Sequence, residues 1–176
     1  MTRARFNRWT VAAIAALALI LLTACGGGNT SPSAAPAANV PLFIDVDTVR
    51  GGANLTEDDP SCVQMSLFAH NEEVVWRVKV TDPETGEDMD DTDLDTLQVI
   101  LPDQTLDMAY GGHPHNDPVD FFWSVSWDIP EGYPSGIVSY SIKATDADGR
   151  SGTWDQFGVA SAQLTVSDEV RPVISE

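Results

Sequence analysis

The chain has 176 residues, with 27 acidic side chains against nine basic ones and a formal charge of −18 at neutral pH. A surface so anionic repels phosphate, which excludes nucleic acid and disfavours anionic headgroups as contacts. Two cysteines in this length exclude a disulfide-dense scaffold.

At the amino terminus, Arg3, Arg5 and Arg8 stand with no acidic neighbour, and residues 11–22 then form an unbroken apolar run of twelve. A basic segment followed by a run of this length is the pattern of an export signal. It falls short of the roughly 20 apolar residues that cross about 30 Å of hydrocarbon. The junction Leu22-Thr23-Ala24-Cys25 resembles the lipobox of bacterial lipoproteins, in which a branched apolar residue and two small residues precede a cysteine. The resemblance covers the first 25 residues. It implies removal of residues 1–24, a diacylglyceryl group on Cys25, and an extracytoplasmic domain held to a membrane by lipid. Several acyl chains on one residue give the lasting attachment that a single chain does not. Gly26 follows the cysteine, in place of the aspartate associated with inner-membrane retention, so the cell membrane or an outer membrane would carry the anchor according to the source cell.

Residues 25–41 are the expected lipidated tether. From 26 onward they are small, uncharged and rich in Gly, Pro, Ala and Ser, and bury too little apolar area to offset their ordering entropy. Sixteen such residues span on the order of 20–25 Å as a flexible coil. Residues 42–176 are then one domain of common size. Once residues 1–24 are removed, six basic residues face all 27 acidic ones, a formal charge of −21.

Within this domain the apolar pattern has period two. Residues 43–49 predict an edge strand, and residues 62–68 a second. Val74, Trp76, Val78 and Val80 alternate with Val75, Arg77, Lys79 and Thr81. The alternation returns in Leu97, Val99 and Leu101, and in Leu106, Met108 and Tyr110. It returns again in Phe121, Trp123, Val125 and Trp127, in Val138, Tyr140, Ile142 and Ala144, and in Leu164 and Val166. β-Branched and aromatic residues suit such half-buried strands. Turn-forming clusters at residues 69–72, 82–86, 102–104, 130–136 and 146–149 separate them. The only helical expectation is a single turn within residues 91–96. About seven to eight short strands with regular turns predict an all-β antiparallel sandwich.

Two segments carry a second resemblance. Trp76-Arg77-Val78-Lys79-Val80-Thr81-Asp82-Pro83-Glu84-Thr85-Gly86 is similar to a strand and turn of bacterial immunoglobulin-like domains. Tyr140-Ser141-Ile142-Lys143-Ala144-Thr145-Asp146-Ala147-Asp148-Gly149 is similar to their late strand. The likeness implies an immunoglobulin-like β-sandwich over residues 62–167. It carries no activity with it, because such sandwiches serve many roles. The paired core cysteines of antibody domains are missing. With Cys25 lipidated, Cys62 is left alone and the fold must rely on packing.

Four clusters are candidates for chemistry. Seven carboxylates crowd into residues 84–95, and Asp90, Asp91, Asp93 and Asp95 offer the hard oxygens that calcium takes. Asp91, Asp93 and Asp95 match the first, third and fifth positions of a calcium loop, but Thr96 and Pro102 stand where its glycine and final glutamate belong. The bland alternative is a solvated loop. In the loop of residues 111–118, His113 and His115 lie two apart near Met108, a donor set that suits copper or zinc, and a polar turn is the alternative. Cys62 on a strand faces away from Met65 and reads best as a buried inert thiol, with a joint site of Cys62 and His113 left open. Finally, Trp123 and Trp127 share a core face, while Phe122 and a loop-borne Trp154 are candidate surface aromatics for a sugar or protein. No nucleophile elbow, phosphate-binding glycine loop or H-E-x-x-H occurs, so no enzymatic activity and no cofactor beyond a possible metal ion is expected. The expectation is a non-enzymatic, lipid-anchored immunoglobulin-like module that binds another envelope or cell-surface protein or polymer. A metal-binding envelope protein, through copper, zinc or calcium, is the alternative.

Overall fold

The structure, a computed structural model, describes residues 40–114 and 116–174. The lipobox, Cys25, most of the tether and His115 lie outside the described residues. Eleven strands form: β1 (Phe43–Arg50), β2 (Leu67–His70), β3 (Glu73–Thr81), β4 (Leu94–Ile100), β5 (Thr105–Asp107), β6 (Ala109–His113), β7 (Asp120–Asp128), β8 (Gly136–Ile137), β9 (Ser141–Asp146), β10 (Ser151–Asp155) and β11 (Thr165–Val170). One 3-10 turn, Ala160–Ala162, accompanies them, and the described residues contain no α-helix.

Eight strands build the sandwich. One sheet has the order β1-β3-β7-β6 and the other β10-β9-β4-β5, each antiparallel throughout. Lettered in chain order with β2, β8 and β11 set aside, these are A-B-E-D against G-F-C-C′, the immunoglobulin arrangement. Alternation explains the packing. Val74, Trp76, Val78 and Val80 of β3 are all buried, as are Leu97 and Val99 of β4 and Ile142 and Ala144 of β9, and they share one core. Trp76, fully buried, stacks on Trp127 of its own sheet with centroids 6.3 Å apart and meets the edge of Tyr140 across the sandwich at 5.4 Å. Burial pushes the Tyr140 phenol up to about 12.

At one edge β10 runs so close to the start of β1 that a Cβ on Gly152 would sit 2.3 Å from the Leu42 carbonyl oxygen. Two turns, one from each sheet, are also joined. The Asp82 carboxylate accepts from the Glu84 N–H, and that of Asp146 from the Asp148 and Arg150 N–H groups. Arg150 then donates from Nε to Asp146 at 2.7 Å and from its terminal nitrogens to Asp82 at 2.9 and 3.3 Å. These are the two turns within the segments that resemble immunoglobulin-like domains.

The remaining strands form a third sheet, β2-β11-β8, in which β2 and β11 run parallel. This departs from the expected all-antiparallel pairing. Nearby, Glu72 is 2% exposed and forms ion pairs with Arg50 at 3.1 Å and with Arg171, while its second oxygen accepts from the Ala69 N–H at 2.8 Å. Arg171 reaches on to Asp59 at 2.8 Å. His70, also buried, places its two ring nitrogens 3.1 Å from the Glu169 carbonyl and 2.8 Å from that of Tyr133.

Three strand expectations change. Leu106, Met108 and Tyr110 do not share one strand: the chain leaves β5 at Asp107, turns inward at buried Met108, and enters the opposite sheet as β6. The run from Val138 to Ala144 is a ladder strand only from Ser141 onward. Residues 62–66 lie outside the named strands, with Cys62 at φ 58°, and hydrogen-bond to the edge of β1 through Cys62 N to Arg50 O and Met65 N to Thr48 O.

Replacing Trp76 with Ala is expected to cost about 3–5 kcal/mol in urea denaturation, because the vacated volume lies in the shared core. The Arg171 guanidinium, then the Thr56 N–H and hydroxyl, hold the Asp59 carboxyl well below the usual carboxylate range. A depressed folded pKa gives stability that is present above the unfolded value near 4 and lost as pH falls through the folded one. The advantage in melting temperature of the wild type over Asp59→Asn should therefore shrink steadily as pH drops below about 4.

Candidate functional site

The outward residues of β1, β3, β7 and β6 make a surface on which charge and aromatic rings are interleaved. Register sets Asp47 beside Arg77, Arg77 beside Ser124, Ser124 beside Ala109, and Gly111 beside Phe122. Arg77 bonds Asp47 with two nitrogens, Nε at 2.9 Å and a terminal nitrogen at 2.5 Å, and its guanidinium carbon lies 6.0 Å from the Phe122 ring centroid. The Asp47 hydrogen bonds raise the Arg77 pKa against the opposing effect of desolvation. Lys79 bridges Asp120 at 2.9 Å and Asp88 at 3.7 Å.

Beside this surface lies a groove of about 430 Å³, floored by Val49, Val75 and Phe122 and flanked by Cys62, Arg77 and His113. Its walls include Gly52 and Gly111, where an added Cβ would meet nothing within 4 Å, so backbone faces open space on both sides. The His113 ring is 6.3 Å from the Phe122 ring. Three residues singled out from sequence, Cys62, His113 and Phe122, thus meet around one groove. Arg77, which lines the same groove and lies over the Phe122 ring, read in the sequence only as the polar face of a strand.

The other candidates separate. Cys62 is exposed, not the buried thiol expected, because the chain turns out of strand geometry there. His113 lies in β6 and not in a loop, whereas Met108 is buried in the core and does not join the groove. Trp154 lies in strand β10, half-buried and 5.6 Å from Tyr140, not in a loop.

In the acidic segment the carboxylates serve the local backbone. Asp90 accepts from the Thr92 hydroxyl at 2.7 Å and N–H at 2.8 Å, and Asp93 accepts from the Asp90 N–H at 3.0 Å. The Thr92 bonds lower the Asp90 pKa. Asp91 and Asp95 are exposed. Buried Met89 anchors the segment, its carbonyl accepting from the Trp123 indole at 3.0 Å. Among the described residues no three His, Cys, Asp or Glu side chains gather so as to hold a metal ion.

The two neighbouring aromatics of β7 should respond differently to truncation. Trp123→Ala, in the core, is expected to cost about 3–5 kcal/mol, while Phe122→Ser, on the groove side, should change stability by less than about 1 kcal/mol; thermal melts of the two variants read the contrast. No family model matches the chain, and no curated protein or solved structure matches it significantly.

Proposed function

We propose that the chain is an extracytoplasmic lipoprotein whose immunoglobulin-like domain is a non-enzymatic binding module for another envelope or cell-surface component. The observation that carries the binding reading is the groove in which Phe122, His113, Cys62 and Arg77 converge. An aromatic ring half-exposed beside a partly exposed arginine has the composition of an interface anchor, since aromatic and arginine side chains dominate such contacts. The lipobox supports the anchored part of the reading. The bacterial immunoglobulin-like resemblance supports the module part, and the topology β1-β3-β7-β6 against β10-β9-β4-β5 agrees with it.

A second reading has one observation in its favour: Cys62 and His113 line the same groove, and a thiolate with an imidazole suits copper or zinc. Elemental analysis of protein purified without chelator separates the two. Stoichiometric metal that is lost in His113→Ala supports this second reading, and its absence supports the first.

In the source cell, the wild-type protein should sediment with membranes and incorporate a clickable palmitate analogue. Cys25→Ser should abolish the label and release the chain to the soluble fraction; a variant that stays in the membrane, from an unlabelled wild type, would defeat the anchored reading. Crosslinking in intact cells should give a discrete adduct that Phe122→Ser removes without altering the melting temperature.

A further inference from the structure

Another groove, of about 420 Å³, opens where the edge of β1 meets the segment of residues 64–66, β10 and the 3-10 turn. It shares no lining residue with the groove at Phe122. One wall is aromatic. Tyr140, Trp154 and Phe157 follow one another with centroids 5.6 and 6.2 Å apart. They continue outward the contact that Trp76 makes with Tyr140, so the inner end of the row is fixed by the core while its outer member, Phe157, is 66% exposed. The other wall is polar, with the Asp47 carboxylate, the Gln64 amide and the Ser161 hydroxyl. Asp47 is the single charged residue among those that line it, and its counter-ion Arg77, opposite it on strand β3, is not among them.

We propose that this groove binds a neutral saccharide. A pyranose ring presents an apolar C–H face and a rim of equatorial hydroxyls. The aromatic wall matches the first, because an exposed ring recovers hydrophobic free energy when a C–H surface covers it. The carboxylate, amide and hydroxyl match the second, as acceptors and donors for sugar hydroxyls. The volume lies within the range of about 300–1,000 Å³ typical of small-ligand sites. Charge selects within the class. No cation lines the groove, and the whole chain carries −18, so uronate- or phosphate-bearing polymers meet repulsion while uncharged sugars meet none. The inner end of the row is fixed where Tyr140 meets Trp76 in the core, so that part needs little ordering on binding.

The test is isothermal titration of the purified domain with cellohexaose, maltohexaose and the hexamer of N-acetylglucosamine, and with oligogalacturonate as the anionic comparison. Saturable binding of at least one neutral hexamer is expected, weakened about tenfold or more in Phe157→Ser, the scale of losing one aromatic anchor, and weakened also in Gln64→Ala. Phe157 is exposed and Gln64 lies at the surface, so both variants should melt as the wild type does, and Phe122→Ser should bind the sugar unchanged. Absence of saturable binding to all three neutral hexamers at millimolar concentration overturns the proposal. So does equal affinity of Phe157→Ser, or preference for oligogalacturonate. None of these outcomes bears on the groove at Phe122, whose test is the crosslink described above.

Discussion

The sandwich depends on the contact between Trp76 and Tyr140. In antibody domains a disulfide ties strands B and F across the core. Here the corresponding strands are β3 and β9. Trp76 stands in the middle of β3, Tyr140 immediately precedes β9, and Ile142 two residues later is wholly buried. An edge-to-face pair of this kind contributes about 0.5–1.5 kcal/mol beyond the area it buries. The covalent tie is thus replaced by a large apolar contact, and the row of rings extends from Tyr133 through Trp127, Trp76, Tyr140 and Trp154 to Phe157. The row joins β7, β3, the entry to β9 and β10, and so positions the groove at Tyr140 directly.

Charge imposes the second constraint. With so few cations among so many carboxylates, five of the six basic side chains of the domain are placed where they join two elements. Arg77 links β3 to β1, Lys79 links β3 to β7, Arg150 links turns of opposite sheets, and Arg50 and Arg171 converge on Glu72. An exposed pair of this kind contributes little. The pairs at Glu72 differ because the carboxylate is buried, and removing either partner would strand a charge away from water. The anionic surplus remains on the outside, where it keeps the domain soluble without holding it together.

The strands of the core were legible because period-two alternation records burial residue by residue. β3, β4, β7 and β9 carry that record clearly. It failed where alternation and sheet membership part company: Leu106, Met108 and Tyr110 keep inward spacing although the chain changes sheet between them. It was silent for β10, whose Ser-Gly-Thr-Trp-Asp has one apolar residue, and for β8; it marked Val166 of β11 and Phe68 of β2 but not the sheet they form, whose partners lie up to about 100 residues apart. Cys62 was misread because a strand was extended through a residue that adopts a left-handed conformation. The chemistry of the first groove was legible as residue types in Cys62, His113 and Phe122. Their meeting was not, since it depends on β6 and β7 pairing antiparallel and on residues 62–65 folding back on β1.

The parallel pairing of β2 with β11 has a consequence for how the protein is made. Strand β2 is translated nearly a hundred residues before its partner, and its ladder bonds form only once Thr165–Val170 has emerged. Loop closure over such a distance delays the contact. The Arg171 side chain that neutralises Glu72 arrives later still. A chain that stops short of β11 would therefore keep the strands of both sandwich sheets but leave β2 without its ladder partner and Glu72 without the Arg171 ion pair. Strand β11 thus closes an edge that is laid down early in the chain.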